Sequence, residues 1–145
     1  MNQSVQNRKA RYNYFFLEKF EAGIELRGSE IKSLRNGRVD IAESFAREVD
    51  NEIYLINSYF AKYSNSSYLN HEENRQRKLL LHKKEIRKIV GKLNKDSLTL
   101  IPIKIYFNKR GLAKVELALS KGKKNYDKRE SKKKKSWERE KRNIK

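Results

Sequence analysis

Residues 97–107 and 112–119 alternate apolar and polar side chains on either side of Asn108-Lys109-Arg110-Gly111. No other feature restricts the fold as much. Ile101, Ile103, Ile105 and Phe107 share one phase, and Ala113, Val115, Leu117 and Leu119 share one phase of the return. A period of two marks a strand with one buried face, and a short link containing glycine closes two such strands into a hairpin. Pro102 falls on the opposite phase and has no N–H to give a ladder, which predicts a bulge or a sheet edge there. A hairpin with one apolar face is not stable alone, so further strands must cover it.

The chain supplies them. Within residues 14–27, Phe20, Ala22, Ile24 and Leu26 alternate with polar neighbours, and Gly23 interrupts the polar phase as a bend or bulge would. Ser29 reads as a helix N-cap with Glu30 in the first turn, Ile31 and Leu34 on one face, and Asn36-Gly37 as the stop. Residues 44–49 and 52–61 flank Asp50-Asn51 as a second hairpin. Residues 62–78 are polar and read as a loop. From Lys83 to Leu93, Ile86, Ile89, Val90 and Leu93 recur at helical spacing, with Lys83, Lys84, Arg87 and Lys88 turned away from that stripe. The pattern predicts a mainly β protein: a small antiparallel OB-like barrel of five or six strands with short flanking helices.

Charge divides the 145 residues into two parts. The net charge is +18, and half of it lies in residues 121–145, where 13 basic and 4 acidic groups leave only Tyr126, Trp137 and Ile144 as apolar side chains. Such a segment cannot offset its ordering entropy by burial. Residues 1–120 therefore read as the folded barrel, and 121–145 as a basic tail that orders only against a polyanion.

Catalytic chemistry finds little support. There is no cysteine, so thiolate nucleophiles, thiolate metal sites and disulfides are excluded, in keeping with a reducing, cytoplasmic setting. His71 and His82 lack metal-ligand spacing, no nucleotide or hydrolase motif occurs, and no metal or cofactor is expected. No apolar run reaches the ~18 residues that a membrane span requires. The tail has no apolar face for a membrane surface. A polyanion reading finds more. Arg8, Lys9 and Arg11 form one basic cluster, Arg75, Arg77 and Lys78 a second, and the tail a third. Tyr12, Tyr68 and Tyr126 lie near them as stacking surfaces for unpaired bases.

Four motifs in order, NRKARYNY (7–14), FEAGIELRGSEIKSLRNG (20–37), NRQRKLLLHKKEI (74–86) and AKVELALSKGKKNYDKRE (113–130), resemble the SsrA-binding (small protein B) family, the bacterial partners of transfer-messenger RNA. The resemblance spans nearly all of residues 7–130. It implies a six-stranded OB-like barrel and a non-enzymatic, monomeric RNA-binding factor of ribosome rescue. Such a factor holds the tRNA-like end of transfer-messenger RNA and helps deliver the alanyl form, with elongation factor Tu, to ribosomes stalled without a stop codon. The family's RNA-contacting positions fall on Asn7, Glu21, Leu80 and His82. Its ribosome-contacting tail motif falls on Lys121, Gly122, Lys123, Lys124, Tyr126, Asp127, Lys128 and Arg129, a region expected to become helical in the empty decoding site and mRNA channel. Trp137 departs from the charged helix expected beyond it. The alternatives are a permanently bound ribosomal protein, which would share the basic tail, and a nuclease, which would need an acid–base or metal set.

Overall fold

A computed structural model describes residues 4–62 and 70–123. In chain order the elements are β1 (Val5–Gln6), α1 (Arg8–Asn13), β2 (Tyr14–Ile24), α2 (Gly28–Arg35), β3 (Val39–Asp40), β4 (Phe45–Val49), β5 (Glu52–Ile56), β6 (Tyr59–Phe60), β7 (Arg77–Leu80), α3 (Lys83–Asp96), β8 (Thr99–Phe107) and β9 (Ala113–Gly122). Six strands close a ring in the order β8-β4-β5-β7-β2-β9, with β9 returning to β8, and every pairing is antiparallel. The expected mainly β, six-stranded barrel with three helices is what the chain forms. Closure leaves few strand edges free.

Both hairpins turn where the sequence places them. Asp50 and Asn51 adopt φ of +50° and +67°, the left-handed pair that matches strand twist in a two-residue link. At the other hairpin the Asn108 carboxamide oxygen accepts from the backbone N–H groups of Arg110 and Leu112, and Gly111 takes φ +79°. Pro102 does sit at a bulge: it pairs with Leu117, while Lys104 pairs with Glu116, so β8 spends one extra residue. That residue switches the inward phase. Leu100 and Ile105 enter the core, whereas Ile101 and Ile103 are buried outside it, where Asn7 ties α1 to β8. The expected uninterrupted phase 101-103-105-107 is corrected accordingly.

Three further expectations change. Gly23 is not a bulge; β2 bulges instead between Phe16 and Glu18, leaving Leu17 exposed. Residues 52–61 are not one strand, because Asn57 takes φ +60° and separates β5 from β6, which pairs with β3 in a small second sheet. Part of the expected loop is strand: β7 fills the ring between β5 and β2. Its inward positions are Leu79 and a buried arginine, Arg77, so its alternation is hidden from hydropathy.

Helix α2 begins two residues earlier than expected, with Arg27 and not Ser29 at the N-cap position, and Glu30 accepts from the Arg27 backbone N–H at 2.7 Å. Ser29 serves elsewhere: its hydroxyl meets His71 Nδ1 at 2.8 Å, while His71 Nε2 lies 2.8 Å from the Phe60 carbonyl. The carbonyl can only accept, so Nε2 carries the proton and Nδ1 accepts from Ser29, an assignment inferred from the network. Helix α3 packs Ile86 and Ile89 into the core and is tied to β2 by Lys88 and Lys92, 2.5 and 2.9 Å from the Glu18 carboxylate.

Candidate RNA interface

Side chains alternate across a strand, so the residues opposite the core of β2 project outward as Lys19, Glu21 and Gly23. Register then decides their neighbours. Glu21 lies opposite Glu116, and Gly23 lies between Lys114 of β9 and Leu80 of β7. On β8, Lys104 faces Glu116 and Tyr106 faces Lys114. The outer wall formed by β8, β9, β2 and β7 thus carries Lys19, Glu21, Leu80, Lys104, Tyr106 and Lys114 together.

This wall is electrostatically arranged. Lys19 and Lys104 each lie 3.6 Å from the Glu116 carboxylate, which tempers a like-charge meeting with Glu21. The Tyr106 hydroxyl donates to Glu21 Oε2 at 2.5 Å. Desolvation, then the Glu21 hydrogen bond and the charges of Glu21 and Glu116, push the Tyr106 phenol up to about 12. Tyr106 therefore remains a donor near neutral pH, and the other Glu21 oxygen has no donor among the described residues. An orphan carboxylate oxygen held in place accepts base amino groups.

Beside it lies a shallow groove of about 220 Å³ lined by Gly23, Leu26, Ile31, Leu80, Phe107 and Leu112. Leu80 is 47% exposed and Leu112 56%, so Leu80 is a surface residue and not part of the core. The groove exists because residue 23 has no side chain: a Cβ there would lie 3.2 Å from Leu80 Cβ. Gly23→Ala is expected to displace Leu80 and weaken RNA binding while the chain stays folded, checked by circular dichroism alongside filter binding. His82, exposed, precedes α3 two residues beyond Leu80, and its backbone N–H donates to Glu85 at 3.2 Å.

Several residues expected to touch RNA are used inside the chain. Asn7 is 3% exposed. Its Oδ1 accepts from Ala10 N–H at 3.2 Å, and its Nδ2 donates to the Ile41 and Pro102 carbonyls at 3.1 and 3.0 Å. It caps α1 and fixes it to the barrel, so its side chain positions the helix and does not reach outward. Arg77 is fully buried, paired with Glu30, bonded to the hydroxyl and carbonyl of Ser58, and stacked 4.0 Å from the Phe60 ring. Arg75 lies 2.6 Å from the same carboxylate. Of the second basic cluster only Lys78 stays clear of Glu30, half-buried and 3.8 Å from Glu52. The cluster is positively charged as the sequence shows, but a buried carboxylate on α2 engages both of its arginines.

The other two clusters meet. Arg8, Lys9 and Arg11 are exposed on α1, with Lys9 3.3 Å from Glu43. Strand β9 runs past Ser120: Lys121 pairs with Phe15 and Gly122 with Tyr14. Lys123 then donates to the Arg11 carbonyl at 2.9 Å and covers the Phe15 ring at 5.0 Å. The root of the tail is therefore part of the barrel, three residues beyond the expected boundary. Lys124, Tyr126, Asp127, Lys128 and Arg129 lie outside the described residues. Tyr14 and Gly23 sit nine residues apart on β2, so the tail root and the Glu21–Leu80 wall are separated by about 30 Å of strand.

Comparison with known proteins is decisive here. The sequence model of the family described as "SmpB protein" matches residues 4–145. The chain belongs to the SmpB family. Relatives named SsrA-binding protein include those of Rhizobium etli, 53% identical over 94% of this chain and 86% of theirs, and Rhizobium johnstonii, 54% identical over 94% and 91%. That of Nitrobacter winogradskyi is 54% identical over 94% and 87%. A solved structure described as tmRNA-SmpB at the center of the bacterial ribosome aligns with a TM-score of 0.70 at 55% identity, covering 83% of this chain and 84% of that one. In family terms the Glu21–Leu80 wall was legible from the EAG and RKLLLH motifs. Tyr106 and Lys114 were not singled out, because only strand register brings them beside Glu21.

Proposed function

We propose that this protein is an RNA-binding factor of trans-translation. It binds the tRNA-like domain of transfer-messenger RNA and helps deliver it, in the alanyl form with elongation factor Tu, to stalled ribosomes. It acts in the cytoplasm as a monomer, without a cofactor and without catalysing a reaction itself. The observation that carries this reading is the wall on which Glu21, held by Tyr106, adjoins the open Leu80–Leu112 groove. A splayed base packs its face on leucine while its amino edge donates to a carboxylate, the way unpaired RNA is read. Lys104, Lys114, Lys78 and His82 border that wall and supply phosphate contacts. The family relatives named for SsrA binding and the related chain solved with tmRNA support the choice of RNA.

The second surface lies at the far end of β2. There α1 carries Arg8, Lys9 and Arg11, and Lys123, following Lys121 and Gly122 on β9, donates to the Arg11 carbonyl. Lys124, Tyr126, Asp127, Lys128 and Arg129 continue from this root, and in our reading they enter the empty decoding site and mRNA channel and become helical along rRNA phosphates. One small body then joins two RNAs, with the tRNA mimic on its wall and the ribosome at its tail.

The test is selective binding. Glu21→Ala and Leu80→Asn are expected each to weaken binding to the tRNA-like domain by about 1–3 kcal/mol, with little change for random RNA, because neither removes a positive charge nor adds a negative one. Equal losses on both RNAs in folded variants would show that the wall does not read this partner.

A further inference from the structure

Helix α3 carries a second basic feature that the wall does not use. Lys84, Arg87, Lys88, Gly91 and Lys95 are all exposed. Spacings of three, four and seven put them on one face, opposite Ile86, Ile89 and Leu93. Lys88 is held by Glu18 at 2.5 Å, whereas Lys84, Arg87 and Lys95 have no carboxylate partner among the described residues.

Gly91 stands in the middle of these cations and has no evident reason to be glycine. It is neither a cap nor a break, lying at the ninth of the fourteen helical positions Lys83–Asp96. Its φ is not positive, and an added Cβ would meet nothing within 4 Å. Glycine inside a helix is less favourable than alanine because it has more backbone freedom to lose. The described fold thus gains nothing in return for that cost. A residue without a side chain, ringed by cations on an exposed helix, fits the close approach of a phosphate backbone from outside.

We propose that the Lys84–Arg87–Gly91–Lys95 face of α3 is a phosphate-docking ridge for the tRNA-like RNA, with Gly91 at the point of closest approach. The ridge begins two residues past His82 and extends about 16 Å along the helix axis. It continues from the Leu80–His82 end of the wall, which argues for the same RNA and against a separate one. The proposal rests on the reading above that this wall holds transfer-messenger RNA.

The distinguishing experiment has two readouts with opposite signs. Full-length Gly91→Ala is expected to melt about 4 °C higher than wild type, from helix propensity alone. It should also bind a transcript of the tRNA-like domain several-fold more weakly. Gly91→Leu, whose Cβ likewise meets nothing within 4 Å, should bind more weakly still. Lys84→Gln with Arg87→Gln should reduce the salt slope of binding by about two. A stabilised Gly91→Ala with unchanged affinity would overturn the proposal, as would a lower melting temperature, which would give the glycine a role in the fold. Loss of association with 70S ribosomes alone would assign the ridge to the wrong RNA and overturn it too. Failure of the underlying reading shows separately, as a wild-type chain with no preference for the tRNA-like domain over random RNA.

Discussion

Replacing Glu30 by Ala is expected to lower the unfolding free energy by about 3–5 kcal/mol, the cost of leaving a buried charge unpaired. Glu30 has no exposed side-chain surface and joins three parts of the chain: α2 with its N-cap, the segment before β7, and β7 itself. It accepts from the Arg27 backbone, holds Arg75 from the segment before β7, and pairs with Arg77 within it. Arg77 in turn bonds the carbonyls of Ser58, Glu72, Glu73 and Arg75. Replacing both Glu30 and Arg77 by Met is not expected to restore stability, because those carbonyls would lose their donor. Urea unfolding of the variants checks both statements. Burial alone would push the Glu30 carboxyl up, but the hydrogen bonds from Arg75 and Arg27 and the charge of Arg77 outweigh it and hold it below the usual carboxylate range. A depressed folded pKa stabilises above the unfolded value and loses that contribution as pH falls through the folded one. Wild-type stability should therefore erode on acidification below about pH 4.3, and Glu30→Gln should show less of that erosion.

A chain ending at Lys123 is expected to fold, to keep binding the tRNA-like domain, and to lose tagging of stalled nascent chains. It keeps the whole ring, the wall, and the contacts of Lys123 with Arg11 and Phe15. It removes residues 124–145, which carry 11 basic and 4 acidic groups. Ending the chain at Ser120 instead removes the pairing of Lys121 with Phe15 and Gly122 with Tyr14, so that shorter chain should be less stable. Binding of the full chain to its RNA should fall on the order of a thousandfold between 50 and 200 mM salt if about six phosphates are contacted. Changing Asp127, Lys128 and Arg129 together to Ala removes a net charge of one. Loss of tagging in that variant would mark specific contacts along the channel, and normal tagging by the Lys123 truncation would reduce the tail to a tether.

The barrel was legible wherever one face of a strand is uniformly apolar, as in β9 with Val115, Leu117 and Leu119. It was illegible at β7, where Arg77 takes an inward position that hydropathy assigns to solvent. Only the distant Glu30 carboxylate makes that burial favourable. Pro102 announced a bulge but not its consequence, because the switch from Ile103 to Leu100 and Ile105 depends on the partner strand's register. The same limit applied to the interface. Glu21 and Leu80 lie 59 residues apart and meet only through Gly23, and Tyr106 joins them from a third strand. Asn7 shows the converse, a polar residue in a basic motif whose side chain is spent on capping and tethering.

If the Glu21–Leu80 wall holds transfer-messenger RNA, a reactive group placed beside it should capture that RNA. Crosslinking in cells from a photoreactive residue at Leu112, on the rim of the groove, tests it most directly. Crosslinks to the tRNA-like domain of that RNA are expected as the dominant species, lost when Glu21 is changed to Ala. Crosslinks spread over the ribosomal RNA of every ribosome, with transfer-messenger RNA absent, would contradict it and favour a permanently bound ribosomal protein.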